Sequence, residues 1–101
     1  MPIQHVVIIT FTRQLSQIES DHLIQDARAM TSEIPQIIDL KCGVDMGLSG
    51  SPGGMFSLTA TFNDVEAYQT YQNHAVHQSF ISRHIKPVMA ERKAVQFEIR
   101  D

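Results

Sequence analysis

The sequence predicts an α+β fold, the ferredoxin-like split βαβ pattern with a four-stranded antiparallel sheet. Two observations carry this. Strand-like alternation and helix-like periodicity occur in the order strand, helix, strand, strand, helix, strand. The chain of 101 residues, 43% of them apolar, is also long enough for one modest core, so residues 1–101 are read as a single domain.

The first strand is Ile3–Phe11, IQHVVIITF. It is β-branched and apolar on both faces, as a central strand covered on both sides requires. Ile3, His5, Val7, Ile9 and Phe11 share one face; Gln4, Val6, Ile8 and Thr10 share the other. Pattern alone does not say which face meets the helices. Ser16 and Glu19 then form a capping-box pair. Behind them Leu23, Ile24, Ala27, Met30 and Ile34 recur at helical spacing, which predicts a helix over Gln17–Ser32 ended by Pro35. Gln36–Val44 and Met55–Phe62 alternate as strands, with Ile38, Leu40, Cys42 and Val44, then Phe56, Leu58, Ala60 and Phe62, on one face.

Between those strands lies MGLSGSPGG, Met46–Gly54. All five glycines fall between Gly43 and Gly54. A phosphate-binding loop needs a helix behind it to aim its N–H groups at the anion. A strand follows here, so the segment reads as a mobile hairpin loop. Asn63 and Glu66 repeat the capping-box logic ahead of a helix from Asp64 to about Gln72. A second helical piece covers about Ala75–Ile85, and Lys93–Arg100 reads as the last strand, with Val95, Phe97 and Ile99 on one side.

Helices on one side of such a sheet leave its second face open. On the first strand that face is apolar, with Val6 and Ile8. On later strands a polar face carries Ser57, Thr59, Thr61, Gln96 and Glu98. A partly apolar open face fits two sheets packing together, so a homodimer is expected.

The net charge of −3, with no run of Lys or Arg, argues against nucleic acid and against anionic membranes as partners. No apolar stretch reaches the ~18 residues of a membrane span. Val6–Phe11 is too short for a signal core and has no basic leader. Cys42 is the only cysteine, which rules out an internal disulfide and makes a reducing cytoplasm the expected compartment. Its strand-like flanks mark Cys42 as structural.

The chemistry concentrates in YQTYQNHAVHQSF, Tyr68–Phe80. Each step of three residues drifts about −60° round a helix, roughly 240° over the stretch. One unbroken helix cannot gather these rings on one face. Asn73 is a plausible stop, and across a break there Tyr71 and His77 can meet. A Tyr–His pair beside an apolar pocket is an acid–base device: imidazole titrates near neutral pH, and a phenol donates to a carbonyl or orients the ring. His74 and His77 form HxxH, but zinc needs three or four ligands and nothing completes the set, so no metal is expected. His74 falls at the break and reads as structural. His22 and His84 receive no role. His5 interrupts an apolar row and, if buried, must find a hydrogen-bond partner.

HVVIITF after a short N-terminal segment, Tyr71-x-x-His74-x-x-His77-x-x-Phe80 and a short last strand together resemble the stress-responsive A/B barrel domain, the Dabb family, over Ile3–Arg100. The resemblance implies a dimeric α+β barrel of ferredoxin-like protomers and a His5 that points toward the helices. It also implies, by likeness to plant polyketide cyclases of that family, a cofactor-free reaction on a small apolar or polyketide-like ligand. His77 would be the base, with Tyr71 and His5 in the same pocket. A non-catalytic stress-linked dimer or a ligand-binding module is the alternative.

Overall fold

β1 (Ile3–Phe11) runs through the middle of a sheet of order β2-β3-β1-β4, flanked by β3 (Met55–Phe62) and β4 (Met89–Glu98), both antiparallel to it. β2 (Asp39–Val44) pairs with β3 at the far edge. The computed structural model describes residues 1–50 and 54–100. The expected hairpin loop over 46–54 includes Ser51, Pro52 and Gly53, which lie outside the described residues.

The odd-numbered face of β1 is the core face: Ile3, His5, Val7, Ile9 and Phe11 are all buried. They face the helical layer, in which α1 (Gln17–Glu33) buries Leu23, Ala27 and Met30. Phe56, Leu58, Ala60 and Phe62 of β3 complete the layer between sheet and helices. Each large apolar side chain buried this way contributes roughly 1.5–3 kcal/mol, so the alternation of β1 and β3 fixes their register as well as their existence. α1 opens with the expected capping box: the Glu19 N–H donates to Ser16 Oγ at 3.1 Å, and the Ser16 N–H donates to Glu19 Oε1 at 2.9 Å.

The break near Asn73 is present. α2 (Val65–Asn73) ends there, and α3 (Ala75–Phe80) begins after His74. His74 serves both helices. Its extended backbone (φ −67°, ψ 139°) turns the chain, and its Nδ1 accepts the Val76 N–H at 3.1 Å. α3 runs into one π-helical segment, Ile81–Ile85, whose Ile85 is buried.

Several expectations are corrected. The N-cap of α2 is Asp64, whose Oδ1 accepts the Ala67 N–H at 2.8 Å, rather than Asn63. β2 starts at Asp39, because Pro35 and Gln36 form a turn; Ile38 is exposed. β4 starts at Met89, four residues earlier than expected, since β1 offers pairing partners as far as Thr10 and Phe11.

The faces of β4 are the larger correction. Glu98 pairs with Ile3, Gln96 with His5 and Arg92 with Ile9, so the largely polar row Arg92–Ala94–Gln96–Glu98 lies on the helix side, not on the open face where Gln96 and Glu98 were expected. Val95 pairs with Val6 and Lys93 with Ile8, which puts Val95 and Phe97 on the open face. Polar residues sit inward because no helix covers this edge strand; every residue of β4 is exposed. The open face is therefore more apolar than the sequence suggested: Ile8, Val95 and Phe97 are 42%, 54% and 51% exposed beside Val6. His84, given no role from sequence, is half-buried, with Nε2 at 2.7 Å from Asp26 Oδ2 of α1. No described helix is long and apolar enough to cross a membrane.

If His74 holds the junction as a cap, His74→Ala should lower unfolding free energy by about 1 kcal/mol, and His74→Asn, itself a good cap, by much less. Urea unfolding measures both; equal losses would mean that the ring packs rather than caps.

Candidate functional site

The break decides where the rings go. On a continuous helix the Val76 N–H would bond the Gln72 carbonyl, four residues back. It is diverted to His74 Nδ1 instead. The Gln72 carbonyl is thereby freed, as carbonyls at a helix end are. Two side chains take it: Gln78 Nε2 donates to it at 2.7 Å, and His77 Nδ1 lies 3.0 Å away. A carbonyl only accepts, so Nδ1 of His77 carries the proton and Nε2 keeps its lone pair. The turn of the chain also swings His77 over Tyr71, with ring centroids 4.4 Å apart.

Tyr71 is buried at 2% exposure and packs on Phe62 at 5.0 Å and on His5 at 6.1 Å. His5 thus lies on the helix side, with the Tyr68 ring tilted against it at 5.0 Å. Its Nδ1 meets Gln96 Nε2 at 2.9 Å. The amide N–H₂ donates there, so the imidazole proton sits on Nε2. The structure brings His5, Tyr71 and His77 to one cavity of about 430 Å³. That volume is within the range of small-molecule sites. Its apolar walls include Val7, Ile9, Phe56, Leu58, Phe80 and Ile85. No hydrogen bond ties the Tyr71 hydroxyl to a protein group among the described residues, and no buried side-chain polar atom there lacks a partner, so this hydroxyl borders the cavity.

The electrostatics keep both imidazoles neutral. Burial lowers the His5 pKa from its usual value to about 4, and the charge of Arg92 adds to that. Burial also holds His77 below the ordinary imidazole value. The Gln72 carbonyl pulls the other way, and Arg92 and then His74 lower it further. Burial raises the Tyr71 phenol, which stays protonated. The cavity therefore presents one lone pair on His77 and O–H and N–H donors on Tyr71 and His5. Among the described residues no group of three or more His, Cys, Asp or Glu side chains is placed to hold a metal. Cys42 is half-buried, and burial raises its thiol pKa, as for an inert structural cysteine.

Three neighbours were not singled out from sequence. Tyr68 lies one helical turn before Tyr71, and that spacing was the signal for it. Gln96 and Arg92 are two alternate positions of β4; only the strand register tells that they face inward.

The fold and the cavity define a ferredoxin-like α+β protein with an apolar-walled cavity bordered by neutral histidines and a tyrosine. The chain belongs to the Dabb family: the model of the Stress Responsive A/B Barrel Domain matches residues 3–99. A dimeric ferredoxin-like protein of unknown function from Thermobifida fusca is similar in structure, with a TM-score of 0.85 and 24% identity over 98% of this chain and 92% of that one. The hydroxynitrile lyase of Passiflora edulis aligns with a TM-score of 0.80 and 20% identity over 99% and 94% of the two chains. A Dabb family protein of Mesorhizobium loti aligns with a TM-score of 0.78 and 19% identity over 99% and 98%. No curated protein matches the chain.

The depressed pKa of His5 couples folding to pH. Folded His5 titrates near 4 and an unfolded histidine near 6.5. Its stabilising contribution is thus complete above about pH 6.5 and is lost as pH falls toward 4. His5→Gln should flatten the fall in Tm across that window. An unchanged pH profile would mean that His5 titrates normally in the folded protein.

Proposed function

We propose that the protein is a cofactor-independent enzyme acting on a small carbonyl compound, with His77 as general base. The observation that carries this reading is the bond between His77 Nδ1–H and the Gln72 carbonyl, which leaves the Nε2 lone pair on a ring lining the cavity. In the reaction, Nε2 takes a proton from a carbon flanked by carbonyls, and the C–H pair moves onto a carbonyl oxygen. The Tyr71 O–H and the His5 Nε2–H stabilise that enolate oxygen. The enolate carbon then attacks a second carbonyl of the same chain. A C–C bond forms, and the new alkoxide recovers the proton from His77, as in an aldol closure of a polyketide-like substrate. Such a base contributes about 10²–10⁴-fold, enough for an already acidic 1,3-dicarbonyl carbon. One similar structure is a hydroxynitrile lyase, so this fold can carry an enzyme, which is in keeping with the reading. The alternative, a stress-linked dimer that binds a small ligand without turnover, uses the same cavity and predicts no proton transfer.

The active species in this reading is a homodimer. Val6, Ile8, Val95 and Phe97 form an apolar patch on the open sheet face, of a kind that monomers rarely leave in water. Similar structures from Thermobifida fusca and Bacteroides fragilis are dimeric, which supports the same arrangement here.

Exchange of the central C–H of ethyl 3-oxohexanoate into D₂O, followed by NMR, tests the base. His77→Gln should lower protein-catalysed exchange at least about a hundredfold, and Tyr71→Phe by about tenfold or less, with Tm nearly unchanged in both. The rate should rise with pH through a midpoint below the ordinary imidazole value, because burial depresses His77. Exchange indifferent to His77 removes the enzymatic reading. Light scattering at micromolar concentration should give about twice 11.4 kDa, and Phe97→Lys should halve that mass; a monomeric native protein refutes the dimer.

A further inference from the structure

The charge around the cavity is one-sided. The chain carries 11 Asp and Glu against 8 Lys and Arg, yet the cavity lining includes Arg92 and Lys86 and no carboxylate. These two cations also lack partners of their own. Arg13, Lys41, Arg83, Lys93 and Arg100 each hold a carboxylate within 3.6 Å. Among the described residues, Arg28, Lys86 and Arg92 hold none, and of these three only Lys86 and Arg92 line the cavity. Alternation along β4 explains this for Arg92. Its sequence neighbours Glu91 and Lys93 point to the opposite sheet face, where they pair with each other at 3.6 Å. Arg92 alone of these three projects to the helix side, at the level of Ile9, on the row that continues through Gln96 opposite His5 to Glu98 opposite Ile3; Glu98 lies at the far end of that row, outside the cavity lining, and pairs with Arg100.

We propose that the cavity takes an anionic ligand, an apolar chain or ring bearing a carboxylate, and that Arg92 receives the carboxylate with Lys86 as a second cation at the rim. This rests on the cavity being the ligand site, as argued above, and adds the class of ligand. A guanidinium matches a carboxylate with two parallel N–H···O bonds. An apolar-walled cleft focuses the field of an uncompensated cation, so the site draws anions although the chain as a whole is acidic. The field of Arg92 reaches the site itself, since it contributes to lowering both His5 and His77. The apolar body of the ligand fills the space between Phe56, Leu58, Phe80 and Ile85, while its carboxylate stays at the exposed edge strand and avoids full desolvation.

Calorimetric titration with octanoate and with octanamide, which differ in charge and little in shape, tests this at pH 7.5 and low salt. The wild-type protein should bind octanoate at least about tenfold more tightly, and added salt should narrow the gap. Arg92→Gln should abolish the preference while leaving octanamide within about twofold of wild type. Lys93→Gln, on the opposite face, should change neither. His77→Gln should keep the preference, so the anion site and the assignment of the base stand or fall separately. Equal wild-type affinities overturn the anion site and leave the cavity reading intact. A preference lost in Lys93→Gln rather than in Arg92→Gln places the anion on the other face and also overturns it. Binding of neither compound overturns both.

Discussion

One diverted hydrogen bond organises the site. The Val76 N–H goes to His74 Nδ1 rather than to the Gln72 carbonyl. That choice ends one helix and starts another, turns the chain between them, and leaves the carbonyl that fixes the tautomer of His77. Tyr71 and His77 are six residues apart, about 240° round an unbroken helix. Without the turn they would face away from each other; with it their rings lie 4.4 Å apart. A histidine with no place in the proposed chemistry therefore determines the geometry of the one that has.

Burial then sets the protonation states. A cavity lined by Val7, Ile9, Phe56, Leu58, Phe80 and Ile85 disfavours charge on any ring that borders it. His5 and His77 stay neutral and Tyr71 keeps its proton, so the same apolar walls that stabilise the fold supply one base and two donors near neutral pH. Gln96 donates to His5, as Gln72 accepts from His77. Each imidazole thus has one nitrogen committed to the protein and one without a protein partner among the described residues. The two commitments are opposite in sense, so the remaining nitrogen is an acceptor on His77 and a donor on His5.

Much of this was legible in the sequence. Two-faced apolarity marked β1 as the central strand, Ser16 and Glu19 marked the start of α1, and the −60° drift together with Asn73 marked the break. Periodicity alone left the direction of His5 open; the family resemblance turned it toward the helices, where it lies buried. What was misread clusters on β4. Its residues alternate polar and apolar, and a strand covered on one face normally turns the apolar set inward. β4 is an edge strand that no helix covers, so burial does not decide its facing. Pairing with β1 decides it, through contacts across 91 residues between His5 and Gln96. Arg92 and Gln96 were hidden for the same reason that the apolar open face was underestimated.

That one register error ties the two faces of the sheet together. Turning Val95 and Phe97 outward enlarges the apolar surface beside Val6 and Ile8, and the same alternation turns Arg92 and Gln96 inward, toward the cavity. A strand with the opposite facing would bury two apolar side chains at the cavity rim. It would also place a guanidinium and an amide on the open face, leaving His5 Nδ1 without its donor. The observed facing satisfies His5 and charges the rim, and it leaves an apolar face whose burial needs another surface. On this account the polarity of the cavity and the association of two sheets are consequences of a single choice, made by the pairing of β4 with β1.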